Sequence, residues 1–257
     1  GYIPLRIGNN VWILGSNYDS SKPTLLLNSH IDTVKPVDGW NFDPFLPVEN
    51  EGKLYGLGSN DAGASVVSLL QVFFLLSKEK QTYNLIFAAS AEEEISGSNG
   101  MESLLKELPK IDFAIVGEPT NMQLAVAEKG LMVLDCIARG KAGHAARNEG
   151  ENAIYKALAD IEWFKNYQFP KVSEFLGEVK MSVTQINAGT QHNVIPDKCS
   201  FVVDIRSNEL YNNADILAVI NSNVGCEVTA RSTRLSSSAT PQNHPVVTKA
   251  KGMGMDI

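Results

Sequence analysis

The chain has 257 residues and a formal net charge of −7 at pH 7, with 44% hydrophobic and 20% charged residues. This composition is ordinary for a globular protein, and the length allows one large domain or two smaller ones. Because no basic stripe occurs and no apolar run approaches the length of a membrane span, the sequence excludes nucleic acid and membrane as expected partners.

Predicted strands and helices alternate along the first half of the chain. The uninterrupted apolar run Leu25-Leu26-Leu27 predicts a strand at 24–27 that is buried on both faces. Further elements are strands at 11–14, 84–89 and 112–116 and helices at 62–78 and 100–108. This order predicts an α/β fold with a doubly wound, mostly parallel sheet that helices cover on both faces. We assign residues 1–122 to this first domain.

The second half of the chain has a different pattern. Longer alternating strands occur in LMVLDCIARG, KMSVTQINAG and CSFVVDIRS, with helical periodicity at 152–166 and 212–222. Such strands pair mainly antiparallel, which predicts a second, smaller α+β domain over residues 123–232. Residues 233–257 are expected to return to the first domain. The chain starts without Met and stops without a closing element, so we expect a piece of a longer polypeptide.

Four polar clusters follow predicted core strands or short loops of the first domain. They are SHIDT at 29–33, GSNDAGA at 58–64, SAEEEISG at 90–97 and VGEPT at 116–120. Each has a simple structural interpretation: His30 as a buried core histidine, Asp61 as a helix cap, the glutamate run as a solvated helix start, and Glu118 as a loop carboxylate.

Taken together, the clusters favour a metal site. Ligands of open α/β sheets bind at the carboxyl ends of the strands, where these clusters are expected to meet. Carboxylates and a histidine in one crevice would repel each other unless cations lay between them. Imidazole and carboxylate ligands suit zinc, with cobalt or manganese as substitutes.

The four clusters resemble those of the co-catalytic zinc hydrolases that include acetylornithine deacetylase, succinyl-diaminopimelate desuccinylase, aminoacylase and carboxypeptidase G. That family has His-x-Asp after a strand, then Gly-x-x-Asp-x-Lys/Ala-Gly, Asp-Glu-Glu and Gly-Glu-Pro. This chain has His30-Ile31-Asp32, Gly58-Ser59-Asn60-Asp61-Ala62-Gly63, Glu92-Glu93-Glu94 and Gly117-Glu118-Pro119. The resemblance extends over roughly residues 20 to 210.

The resemblance implies a site with two Zn²⁺ ions. His30, Asp61 and Glu118 would hold one ion, and Asp61 would bridge to a second ion that Glu94 also holds. The carboxylate of Asp32 would orient His30 by accepting its other ring proton. Two features of the family are missing: its amino-terminal helix and its final ligand histidine near the carboxyl terminus. His192 and His244 do not occur in that context, so we expect either that the chain is a fragment or that its second site is incomplete.

The run of three glutamates leaves two registers open for the catalytic base. If Glu92 takes the place of the family's Asp, Glu93 is the general base and Glu94 the ligand. If the alignment is shifted by one residue, Glu92 is the base and Glu93 the ligand. We prefer the first, because Ala91-Glu92-Glu93-Glu94-Ile95 overlays the family's Ala-Asp-Glu-Glu-Ile directly. The reaction implied is amide hydrolysis, with Glu93 moving a proton from water to the leaving amine.

The resemblance also assigns roles to the second domain. It would be a lid and dimerisation domain inserted into the catalytic domain, and the protein a homodimer. His144, in GKAGHAA, would reach the partner subunit's active site and stabilise the oxyanion. Asn193, in HNVIPD, would hold substrate or oxyanion, and Arg206, in VVDIRS, would bind a substrate carboxylate. As alternatives from the sequence alone, His144 is a surface histidine and Arg206 a structural arginine at a strand end.

The expected substrate is a small N-acyl amino acid. Within the family, acetylornithine deacetylase, an activity of arginine biosynthesis, is the first choice, with a desuccinylase next. A di- or tripeptidase or a carboxypeptidase remains an alternative, as does a non-catalytic metal-binding relic. Three widely spaced cysteines without C-x-x-C spacing favour reduced thiols in a cytoplasmic protein; they are Cys136, Cys199 and Cys226.

Overall fold

The computed structural model describes residues 2–257 and divides into two compact units, Gly1–Met122 and Gln123–Ile257. The last part of the chain groups with the second unit, where Ser238–Ala239 pairs with Ala127–Glu128. The assignment of 123–232 to a lid domain and of 233–257 to the catalytic domain remains a prediction.

The first unit is built on a five-stranded sheet with two helices. In chain order its elements are β1 Leu5–Ile7, β2 Asn10–Leu14, β3 Thr24–His30, β4 Val48–Asn50, β5 Lys53–Tyr55, a π-helical turn Ser59–Ala64, α1 Ser65–Leu76, β6 Asn84–Ser90, α2 Met101–Leu104 and β7 Phe113–Val116. The strand order in the sheet is β1-β2-β6-β3-β7, and β4 and β5 form a separate hairpin.

The sheet is mixed, not mostly parallel as the sequence predicts. Strand β3 runs parallel to both β6 and β7, but β2 is antiparallel to β6 and to β1. For β1 and β2 the reason is local: only Gly8 and Asn9 lie between them, and Gly8 has a φ of 57°. A two-residue connection of this kind makes a hairpin, in which the strands are antiparallel.

Helices cover both faces of this sheet because its central strands are apolar on both sides. Leu27 and Phe87 point to the face where Phe73 of α1 packs. Leu26 and Ile86, their neighbours along the strands, point to the opposite face and pack with Leu104 of α2. This alternation fixes the register of β3 against β6, where Leu27 lies opposite Phe87.

Within the described residues, one segment, Ser59–Leu76, is long and apolar enough to cross a membrane by length and composition alone. This differs from the prediction that no apolar run approaches the length of a membrane span. Its helical geometry is interrupted at Asp61 and Ala62, and α1 itself has 12 residues. A helix of that length spans only about 18 Å, against about 30 Å for the hydrocarbon core of a bilayer.

The second unit has a four-stranded antiparallel sheet, as the alternating strands predict. In chain order its elements are β8 Ala127–Glu128, β9 Gly130–Arg139, β10 Gly143–His144, α3 Ala153–Asn166, β11 Lys180–Ala188, β12 Val194–Ile195, β13 Lys198–Ser207, α4 Asn213–Asn221, β14 Glu227–Ala230, β15 Ser238–Ala239 and α5 Pro245–Gly252. The sheet order is β11-β13-β9-β14, with β10 paired to β12 and β15 to β8.

The core of the second unit lies between this sheet and the helices α3 and α4. Every second residue of β9 and β13 is buried, including Leu134 and Val203, and these side chains cluster with Phe164 of α3 and Ile216 of α4. Asn152 begins α3 by accepting a hydrogen bond from the Ile154 N–H at 2.9 Å.

Candidate metal centre

Three segments of the first unit bring acidic side chains to one histidine. His30 is the last residue of β3, and the neighbouring strands β6 and β7 run parallel to it and end at the same edge of the sheet. The glutamates that follow β6 and β7 therefore lie beside His30. The π-helical turn that precedes α1 supplies Asp61.

His30 is the centre of this cluster, and its side chain is 1% exposed. Its Nδ1 lies 2.9 Å from the carbonyl oxygen of Asp32, which can only accept, so Nδ1 carries a proton. Its Nε2 lies 2.9 Å from Asp61 Oδ1, 3.6 Å from Glu118 Oε2 and 4.0 Å from Glu93 Oε2. The ring thus turns one nitrogen to the main chain and the other to the carboxylates.

The carboxylate of Asp32 does not make the contact that the sequence predicts. Its Oδ1 lies 3.6 Å from His30 Nδ1, beyond hydrogen-bonding distance, and the main-chain carbonyl of the same residue holds the ring. The two carboxylate oxygens instead accept hydrogen bonds from the N–H groups of Glu93 at 3.2 Å and Glu94 at 3.1 Å.

Glu118 is held by the connection between β3 and β7. The hydroxyl of Ser29, which is fully buried, donates to the Gly117 carbonyl at 2.8 Å, and the Gly117 N–H donates to the Asn28 carbonyl at 2.8 Å. A Cβ at position 117 would lie 2.9 Å from Ser65 Cβ, so glycine is needed for the approach of this loop to α1. The sequence places Ser29 in the cluster SHIDT but indicates no role for it, because its partner is a main-chain carbonyl 88 positions away.

Asp61 is presented by a turn between two glycines. Gly58 has a φ of 76°, which favours glycine, and the Gly63 N–H donates to the Gly58 carbonyl at 2.9 Å. This closes the turn and leaves Asp61 on its surface beside His30.

The three glutamates of the 92–94 run point to different partners. Glu92 accepts from the N–H of Asn99 at 3.0 Å and from its side-chain amide at 3.2 Å. Glu93 faces His30, and Glu94 contributes an oxygen to a set in which the ligand atoms of His30, Asp61 and Glu94 lie within 4.8 Å of one another.

The crowding of carboxylates alters their protonation. Burial raises the pKa of Glu93 and of Glu118 above the ordinary value; the charge of His30 opposes this, and the neighbouring acids add to it. For His30, burial lowers the pKa, but hydrogen bonds to the Asp32 carbonyl and Asp61, with the charges of Glu118 and Glu93, raise it overall. The cluster therefore concentrates negative charge that a cation would neutralise.

A family model described as "Peptidase family M20/M25/M40" matches residues 26–252 of this sequence. The chain belongs to this family. Succinyl-diaminopimelate desuccinylase of Wolbachia pipientis wMel is 30% identical over 219 residues, which cover 79% of this chain and 55% of that protein. The same enzyme of Nautilia profundicola is 31% identical over 195 residues, which cover 72% of this chain and 53% of that protein. The chain thus spans about half the length of these relatives.

Solved structures share the fold of this M20/M25/M40 chain. Aminopeptidase PepT of Bacillus cereus superposes with a TM-score of 0.71 at 20% identity, covering 96% of this chain and 69% of that one. An M20 metallo-carboxypeptidase of Sulfolobus solfataricus gives 0.68 at 18%, covering 96% and 73%. A protein of Bacillus subtilis described as a dinuclear metal-binding M20 peptidase gives 0.62 at 16%, covering 99% and 70%.

The residues of the cluster around His30 fit a divalent metal ion. Because His30 Nδ1 is a donor to the main chain, a neutral ring has its lone pair on Nε2, directed at Asp61 and Glu118. One imidazole nitrogen with carboxylate oxygens is a ligand set of zinc sites. The ligand atoms of His30, Asp61 and Glu94 lie close enough together to hold a metal ion, and Glu118 Oε2 lies 3.6 Å from His30 Nε2.

The other predicted site residues lie in the second unit, and the structure brings two of them together. Strand β10 pairs with β12 so that His144 lies opposite Val194, and the Ala145 N–H donates to the Asn193 carbonyl at 3.0 Å. Arg206 makes two hydrogen bonds to Asp204, at 2.8 and 3.2 Å. A substrate carboxylate would compete with Asp204 for this guanidinium.

Proposed function

We propose that this chain is part of a metal-dependent amide hydrolase that removes an N-acyl group from an amino acid. The observation that carries the proposal is the meeting of His30 with four carboxylates at the carboxyl edge of the parallel strands. The named relatives, desuccinylases, support an N-acyl substrate, and the sequence adds N-acetylornithine as a candidate.

In the proposed metal site, three residues of this chain bind one zinc ion. His30, Asp61 and Glu118 would hold one zinc, and Asp61 and Glu94 would contribute to a second position. When bound, zinc supplies a Lewis acid for the acyl carbonyl and lowers the pKa of water. Cobalt or manganese is expected to substitute.

Glu93 is the proposed base. Its carboxylate faces the metal-binding side of His30, and Glu92, the alternative, is engaged with Asn99. Burial raises the pKa of Glu93, which suits a group that takes a proton from the attacking water and delivers it to the leaving amine. In this register Glu94 is left as a ligand, as the overlay with the family predicts.

The second unit would supply substrate contacts and a dimer interface. Strand β11 is at the edge of its sheet and exposes Ile186, a feature typical of strands that pair with another chain. We propose that this unit is a lid domain that pairs with its copy in a C₂ dimer. His144 would then stabilise the oxyanion in the partner subunit's site, with Asn193 and Arg206 contacting substrate.

A substrate panel tests the proposal. The metal-loaded chain is assayed for amine release from N-acetyl and N-succinyl amino acids, including N-acetylornithine and N-succinyl-diaminopimelate, and from dipeptides. Hydrolysis of N-acyl substrates that disappears in Glu93→Gln supports it. Hydrolysis of dipeptides alone would make the protein a peptidase, and a chain that binds zinc but hydrolyses nothing would be a non-catalytic relic.

A further inference from the structure

We propose that Asp32 is a positioning residue that fixes Glu93 and Glu94 through their main-chain N–H groups. This inference rests on the proposed function, in which Glu93 is the base and Glu94 a ligand. It goes beyond the role that the sequence suggests, because the carboxylate of Asp32 accepts hydrogen bonds from the segment after β6, while its Oδ1 lies 3.6 Å from Nδ1 of His30.

The contacts of Asp32 separate into two groups by the atoms that make them. The main-chain carbonyl accepts from His30 Nδ1 at 2.9 Å. The side chain accepts from Glu93 N–H through Oδ1 at 3.2 Å and from Glu94 N–H through Oδ2 at 3.1 Å. Removal of the carboxylate therefore leaves the hydrogen bond to His30 in place.

The segment that Asp32 holds has no regular secondary structure to fix it. Strand β6 ends at Ser90 and α2 begins at Met101, and the residues between them form turns. Glu92 and Ser96 have φ values of 60° and 50°, which non-glycine residues rarely adopt. A segment of this kind depends on individual hydrogen bonds for its conformation.

Two carboxylates fix this segment at two points. Asp32 binds its start at Glu93 and Glu94, and Glu92 binds its later part at Asn99. Hydrogen bonds to a charged acceptor are stronger than neutral ones. The two hydrogen bonds to Asp32 are therefore expected to fix the orientation of the Glu93 and Glu94 carboxylates. Asp32 thereby links His30, the base and a second ligand in one arrangement.

Amide hydrogen exchange in the metal-free protein tests this role, because it needs neither metal nor turnover. In Asp32→Ala the amides of Glu93 and Glu94 should exchange about 10- to 100-fold faster, the loss expected for hydrogen bonds to a charged group. The ¹⁵N shifts of the His30 ring should still report a proton on Nδ1. Asp43→Ala is the matched control, since Asp43 also accepts a main-chain N–H, that of Phe45 at 2.9 Å, in a different segment.

Asp32→Asn provides a graded variant that also serves if the alanine variant does not fold. Its amide retains one acceptor oxygen, so it should protect one of the two N–H groups. Under the proposed function, Asp32→Ala should also lower kcat with little change in KM. Unchanged exchange at Glu93 and Glu94, or loss of the Nδ1 proton with both amides still protected, would overturn the inference. Altered exchange in a protein without hydrolase activity would uphold it and reject the proposed function.

Discussion

His30 Nε2 and Asp61 Oδ1 lie 2.9 Å apart although they are separated by 31 positions in the sequence. The imidazole comes from the end of a buried strand, and the carboxylate comes from a turn closed by two glycines. Their contact defines the side of the ring on which Glu93 and Glu118 also lie, and it makes this side the place for a cation.

The register of the glutamate run can be tested with three matched substitutions. Glu93→Gln should lower turnover by about two orders of magnitude or more while zinc still binds, because it removes the base without removing a ligand. Glu94→Gln should weaken zinc binding. Glu92→Gln should affect chiefly the loop at Asn99. Zinc loss in Glu93→Gln with normal binding in Glu94→Gln would show that the register is shifted by one.

Ser29 is expected to matter for the position of Glu118. Ser29→Ala removes the hydrogen bond to the Gly117 carbonyl and should lower the free energy of unfolding by about 0.5–1.5 kcal/mol. It should also weaken zinc binding, because the loop that carries Glu118 loses its attachment to β3. Denaturant unfolding and zinc titration measure both effects.

Ser222→Ala is the control for this prediction. Ser222 also donates from its hydroxyl to a carbonyl at 2.8 Å, that of Ala218 in the second unit. Its loss should leave zinc affinity unchanged. Equal zinc affinity in Ser29→Ala and wild type would refute a role for Ser29 in positioning Glu118.

In the metal-free protein, the contribution of the cluster to the free energy of unfolding should depend on pH. The pKa values of Glu93 and Glu118 are raised above 4.5 and that of His30 above 6.5 in the folded protein. Raised values mean that the folded state binds these protons more tightly, so the stabilisation is present at low pH and is lost as pH rises through the raised values.

The measurement compares variants in chelator across this range. Between about pH 5 and pH 8, wild type should lose free energy of unfolding relative to the double variant Glu93→Gln, Glu118→Gln. Glu107→Gln, a change at an exposed surface position, should follow wild type. Parallel curves for wild type and the double variant would contradict the prediction.

The site could be inferred from the sequence because its residues follow strands in a recognisable order. His30, Asp61, Glu94 and Glu118 each occur in a short motif, and the parallel strands carry three of these motifs to one edge of the sheet. What the sequence could not supply is which atom of a residue makes a contact. Whether Asp32 holds His30 by its carbonyl or its carboxylate depends on the local main-chain conformation. The spacing of residues in the sequence does not determine that conformation.

The fold was predicted less completely than the motifs. Apolar runs identify β3 and β6 but not the direction of their neighbour β2, which is antiparallel to β6. The antiparallel pairing of β2 with β1 depends on the two-residue turn at Gly8. The run of glutamates was open to interpretation as a helix start. In the structure it lies in turns, where the Glu93 N–H donates to Asp32 and Glu92 accepts from the Asn99 N–H.

The proposed dimer is tested by complementation. His144→Ala and Glu93→Gln chains are each expected to be inactive, the former through the loss of an oxyanion donor, which typically costs about 3–4 kcal/mol. If His144 serves the partner subunit, mixed chains should form heterodimers with one intact site and recover activity. A mixture that exchanges subunits but stays inactive would place the action of His144 within its own chain, or nowhere.

Zinc binding by the metal-free protein tests the central claim most directly. Calorimetric titration of wild type should reveal tight binding, and His30→Ala should weaken it by more than about 100-fold, since loss of a residue behind a ligand already costs 10- to 100-fold. His192→Ala, a change of an exposed histidine, should bind as wild type does. Zinc binding that is equally weak in wild type and His30→Ala would contradict a metal centre at this histidine.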